Sequence, residues 1–182
     1  MDMVDHPNDF YLQIFRLPVL KYCKLSFGKN YQLESIPMAT NQYSSIEHLI
    51  IRCSIQLNVL YRFLSYDPQL CRLSCQSFVG YGDASTDIII LPNNVTHVSL
   101  DLYHIDFDLL ELLIKYFCHK IQVLHISDNA SSEHLNAQRW RQLILNHLPY
   151  LRIFDIQFVY SIVFINAQLI YDSLVNQFNS QF

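Results

Sequence analysis

One short pattern recurs six times along the 182 residues. It consists of an apolar residue, two variable positions, a second apolar residue, one variable position and a third. It reads Leu20-x-x-Cys23-x-Leu25, Ile46-x-x-Leu49-x-Ile51 and Leu70-x-x-Leu73-x-Cys75, then Val95-x-x-Val98-x-Leu100, Ile121-x-x-Leu124-x-Ile126 and Leu151-x-x-Phe154-x-Ile156. First anchors lie 26, 24, 25, 26 and 30 residues apart. A fixed period of this length marks a stack of supersecondary units, none of which buries its apolar face alone.

Each triplet has the period of a short strand, and the segments between mostly switch to helical spacing. Phe107, Leu110, Ile114 and Phe117 fall on one helix face, with Asp106 and Asp108 placed to cap it. Trp140, Leu143, Ile144 and Leu148 make a second stripe, begun by Asn136 and closed by Pro149. Ile55, Val59 and Phe63 make a third, ending at Asp67-Pro68, and Ile170, Leu174 and Phe178 a fourth. Strand and helix in alternation require crossovers and parallel strands. Helices are wider than the ~4.8 Å between strands, so the stack is expected to curve into an irregular horseshoe. Strands then line the concave side, with helices and loops on the convex side. Gly28 to Ser45 and Ser77 to Asn94 carry no helical stripe and read as loops; Gly80-Tyr81-Gly82 lacks the Lys-Ser or Lys-Thr of a phosphate loop.

With anchors inward, the intervening positions form columns across the open side. One reads Tyr22, His48, Arg72, His97, Val123, Ile153, and the next Lys24, Ile50, Ser74, Ser99, His125, Asp155. A third runs Ser26, Arg52, Gln76, Asp101, Ser127, Gln157, and beside it lie Phe27, Cys53, Ser77, Leu102, Asp128, Phe158. Exposed aromatic and arginine side chains dominate protein interfaces. The expected protein-binding residues are therefore Tyr22, Lys24, Phe27, Arg52, Arg72, His97, His125, Asp155 and Phe158.

Composition narrows the function. A net charge of −4 speaks against a nucleic-acid partner, which calls for a basic stripe. The acidic start Met1-Asp2-Met3-Val4-Asp5 is no signal peptide, and Ile156 to Tyr171 is too short and polar to span a bilayer. Five cysteines without a C-x-x-C pair point to the cytosol or nucleus and to thiols used as small hydrophobes. His48 and His97 are separated by the Arg72 strand, about 9.6 Å, too far to share a zinc ion. Cys71 and Cys118 are candidate nucleophiles, but Cys118 and His119 diverge by about 100° on a helix. No catalytic residue, metal site or cofactor is expected, and a hydrolase or metalloenzyme is the least supported class.

Over residues 17–160 the triplets resemble the leucine-rich-repeat superfamily, whose period is about 20–29 residues. The ninth repeat position, usually Asn, is Asn129 in one unit and Gly28, Ser54, Phe78, Tyr103 and Val159 in the others, which implies an irregular array. Leu17-Pro18-Val19-Leu20-Lys21-Tyr22-Cys23 and Leu148-Pro149-Tyr150-Leu151-Arg152-Ile153 resemble the repeat region of F-box proteins. The resemblance implies a module that holds a protein substrate for ubiquitin ligation. Pro7 to Phe15 is similar to the first helix of an F-box, but no complete F-box fits before Leu20. Binding of a ligase adaptor would then need a complete F-box outside this chain, as in a fragment or truncated family member. The alternative is a stand-alone repeat scaffold or inhibitor. The organisation expected is an N-terminal helical segment at 1–16, about six repeats over 17–160, and a C-terminal helix at 161–182.

Overall fold

The computed structural model describes residues 7–26, 37, 39, 43–80, 94–117, 120–128, 134 and 136–158. Its elements are α1 (Pro7–Phe15), β1 (Tyr22–Leu25), β2 (His48–Gln56), α2 (Leu57–Leu64), β3 (Arg72–Val79), β4 (His97–Tyr103), α3 (Phe107–Phe117), β5 (Val123–Asp128), α4 (Ala137–His147) and β6 (Ile153–Phe158). The expected C-terminal helix lies outside the described residues.

The six strands among the described residues are all parallel, and they stand side by side in chain order from β1 to β6. Each triplet supplies the inward positions of one strand. In the second to fifth triplets every anchor is at most 5 % exposed, whereas Leu20, Leu151, Phe154 and Ile156 are only partly buried. Fully burying one such side chain contributes roughly 1.5–3 kcal/mol, so the anchors are what holds sheet to helices.

The junctions repeat as well. At the second position of each unit one carbonyl accepts two backbone N–H groups from the next unit. Lys21 receives Glu47 and His48, Glu47 receives Cys71 and Arg72, and Cys71 receives Thr96 and His97. Thr96 receives Gln122 and Val123, and Gln122 receives Arg152 and Ile153. Three strands are entered through the same tight turn, in which the fourth N–H bonds to the first carbonyl: Leu17-Pro18-Val19-Leu20, Asp67-Pro68-Gln69-Leu70 and Leu148-Pro149-Tyr150-Leu151. Proline in second place presets the required φ.

The helices cover the anchor face. Tyr11 and Phe15 of α1 meet Phe63 of α2 edge to face, each at 5.6 Å, and Phe15 stacks on Tyr66 at 5.5 Å. At the other end Trp140 of α4 packs 5.1 Å from both Phe107 of α3 and Phe154 of β6. Asp106 caps α3 by accepting from the Leu109 N–H at 2.7 Å, and Asn136 caps α4 through the Arg139 N–H at 3.1 Å.

The second and third strands depart from the sequence expectation. Ile55 belongs to β2, not to the helix that follows, and Ser77-Phe78-Val79 continue β3 instead of opening a loop. The period-2 burial of β2, with Leu49, Ile51, Cys53 and Ile55 inward, carries the strand past the point where a turn was expected. Ser54, Phe78 and Tyr103, the residues standing at the ninth position, all lie within strands. Bulges absorb the extra length: pairing slips between Ile51 and Ser54 in β2, and between Cys75 and Phe78 in β3.

Candidate functional site

Among the described residues, the face opposite the anchors carries no helix. Its first row is the in-register series Tyr22, His48, Arg72, His97, Val123, Ile153, and its second is Lys24, Ile50, Ser74, Ser99, His125, Asp155. Tyr22 and Ile153, at the two ends of the first row, are each 52 % exposed. Between them a hollow of about 300 Å³ crosses β1 to β5, floored by both rows. It is open to solvent and has the dimensions of a small ligand cleft.

The charges are unevenly paired. Lys21 at the margin is held by Glu47 at 2.7 Å, and that hydrogen bond and charge keep the Glu47 carboxyl below its ordinary range. Lys24, Arg52 and Arg72 are exposed and have no ion-pair partner among the described residues. Burial holds the imidazole of His97 below its ordinary pKa, and the neighbouring Arg72, His48 and His125 push it the same way. Its Nδ1 lies 2.9 Å from the Thr96 hydroxyl. His125 pairs instead with Asp155, at 3.2 Å. Partial burial raises the carboxyl of Asp101 in the third row.

Of the residues expected at this face, Tyr22, Lys24, Arg52, Arg72, His97, His125 and Asp155 are on it. Phe158 is not. It pairs with Asp128 and alternates with Asp155 and Gln157, which puts it on the anchor side with Phe154 and Ile156. Side-chain direction reverses at every residue, so Phe158 stands one step from the open face. The same parity turns Cys53, Leu102 and Asp128 inward, where each is buried. Phe27 lies outside the described residues, as do Cys118 and His119.

His48 and His97 are held two strands apart by Arg72. Among the described residues no three His, Cys, Asp or Glu side chains gather as metal ligands would. Burial raises the thiols of Cys23 to about 11 and Cys53 to about 12, and raises that of Cys75 further. Such thiols are packing groups.

Two buried polar groups escape sequence reasoning. Asp67 is completely buried, neither carboxylate oxygen has a hydrogen-bond partner among the described residues, and burial lifts its pKa to about 7. The nearby Ser44 hydroxyl, whose oxygen accepts from the Ile46 N–H at 3.0 Å and whose O–H is left to donate, pulls it partly back. One signal was present: Asp67 opens the same proline turn that Leu17 and Leu148 open elsewhere. His134, also fully buried, stands 2.9 Å from Asp128 without hydrogen-bond alignment, and its carbonyl accepts from Trp140 Nε1 at 2.8 Å. Nothing in the sequence around His134 marks it.

Among the described residues no helix is long and apolar enough to cross a membrane. Comparison with protein-family models finds no match, and neither do comparisons with curated proteins and with solved structures.

Proposed function

We propose that this chain is a protein-interaction module, a leucine-rich-repeat solenoid of irregular horseshoe form whose open sheet face is the concave docking surface. The observation that carries the reading is the asymmetry of the sheet. One side is sealed by helices, while the other presents two in-register rows around a hollow of about 300 Å³. The repeated junction carbonyls support the solenoid, because each unit is joined to the next in the same way.

The resemblance to F-box/leucine-rich-repeat proteins extends the reading to substrate recognition for ubiquitin ligation. The alternative within binding proteins is a stand-alone scaffold or inhibitor. Co-purification of ligase adaptor components with the full-length protein supports the first, and their absence beside a captured partner supports the second.

The face itself is tested by placing a bulky side chain on it. Ser74→Trp fills the floor of the hollow from an outward position of β3 and adds no charge. Loss of partner capture with an unchanged Tm supports the docking face, and undiminished capture refutes it.

A further inference from the structure

We infer that the hollow recognises an acidic segment of a partner protein, with the segment's carboxylates lying along His48, Arg72 and His97. The inference deepens the docking reading above and depends on it. Four observations carry it.

The first is composition. Among the described residues the hollow is lined by Arg72, three histidines and neutral side chains, with no Asp or Glu. The second is the lack of internal compensation. His125 has Asp155, but Arg72 has no ion-pair partner among the described residues, and neither has Lys24 two strands away on β1. The third is register. His48, Arg72 and His97 stand directly opposite one another on consecutive strands, about 4.8 Å apart, so an extended segment laid across the row meets the guanidinium of Arg72 with an imidazole on either side. The fourth is reach. Five strands span about 19 Å, the length of five or six extended residues and far more than one small anion needs. The row ends in Val123 and Ile153, which offers the segment an apolar contact after its acidic stretch.

The charge is local. The whole chain carries −4, so a polyanion gains nothing from the molecule at large and is held only where cations converge.

A pH dependence follows from the groups around His97. These are His48 and Arg72 from β2 and β3, His125 from β5 with Asp155 behind it, and Thr96 beside it in the chain. Burial first, and then the neighbouring positive charges, make the free imidazole give up its proton easily. Beside a bound carboxylate it keeps that proton to higher pH. The complex therefore takes up a proton, and affinity rises as pH falls toward 6, by about tenfold for each unit of pKa change.

The test uses full-length protein and a fluorescein-labelled oligoglutamate, followed by fluorescence anisotropy at low salt, at about pH 6 and about pH 8. Oligoglutamate is expected to bind, more tightly at the lower pH, while oligoglutamine does not. Arg72→Gln, at an exposed position, weakens binding at least about tenfold, and His97→Gln reduces the gain at low pH. Equal binding of the two peptides, binding untouched by Arg72→Gln, or preference for a labelled DNA duplex over oligoglutamate overturns the inference. If oligoglutamate fails while Ser74→Trp still abolishes capture of a cellular partner, the acidic preference falls and the docking face stands.

Discussion

Gly80 runs against the carbonyl of His104: a methyl group added at Gly80 would stand 2.7 Å from that oxygen and 3.3 Å from Cα of Ile105. The end of β3 is thus pressed against the backbone that leaves β4. His104 itself takes a positive φ of 54°, a left-handed conformation that glycine adopts most readily and that asparagine, aspartate and histidine adopt more often than other residues. Gly80→Ala is expected to destabilise the fold by about 1–3 kcal/mol, because backbone cannot yield as a side chain can. His104→Gly, which removes the conformational penalty, should cost little or stabilise. Urea unfolding of both variants checks the pair.

Asp67 makes stability depend on pH. Its folded-state pKa lies near 7, above the usual 3.8, so the native protein holds a proton that the unfolded chain releases. The stability this group permits is complete at about pH 4 and declines as pH rises to about 7, by on the order of 3 kcal/mol. Asp67→Asn should remove that slope and raise Tm most at about pH 8. Thermal unfolding of both proteins across this range measures it.

Trp140 should be the most costly single side chain at the C-terminal end of the described fold. It is fully buried, bonded through Nε1 to the His134 carbonyl, and packed on Phe107 and Phe154. Trp140→Ala is expected to cost about 3–5 kcal/mol. Trp140→Phe keeps only part of the packing and orphans a buried carbonyl, whose loss alone costs about 1–3 kcal/mol. Circular dichroism during urea titration reports both.

Thiol labelling separates packing cysteines from accessible ones. Cys71 is half-exposed, while Cys23, Cys53 and Cys75 are buried with raised pKa values. In native protein Cys71 should react, and the three buried thiols should stay silent until denaturant is added. Peptide mapping after labelling identifies each site. Prompt labelling of Cys53 would contradict its placement.

Much of the sheet was legible because its period is local. From the second and third anchors of each triplet, alternation puts Tyr22, His48, Arg72 and His97 in one outward row, and parallel pairing puts those rows in register. Legibility fails where a strand takes an extra residue. The bulges at Arg52-Cys53 and Gln76-Ser77 bring Ser54 opposite Ser77, with their hydroxyls 3.1 Å apart, and no third column survives across β2 to β4. Phe158 was misplaced for a related reason: it sits one residue beyond an outward position, where parity has already reversed. Asp67 and His134 were hidden because burial of a polar side chain is decided by the neighbours that close over it. Polarity in the sequence predicts the opposite.

The central claim is that the bare side of the sheet is where another protein sits. Proximity labelling in cells, comparing wild-type protein with an Arg52→Glu, Arg72→Glu double variant, tests it most directly. Both side chains are exposed, so the variant should retain its Tm. The account predicts that a defined set of labelled neighbours is lost from the variant while expression is unchanged; an identical set of neighbours for both proteins would contradict it.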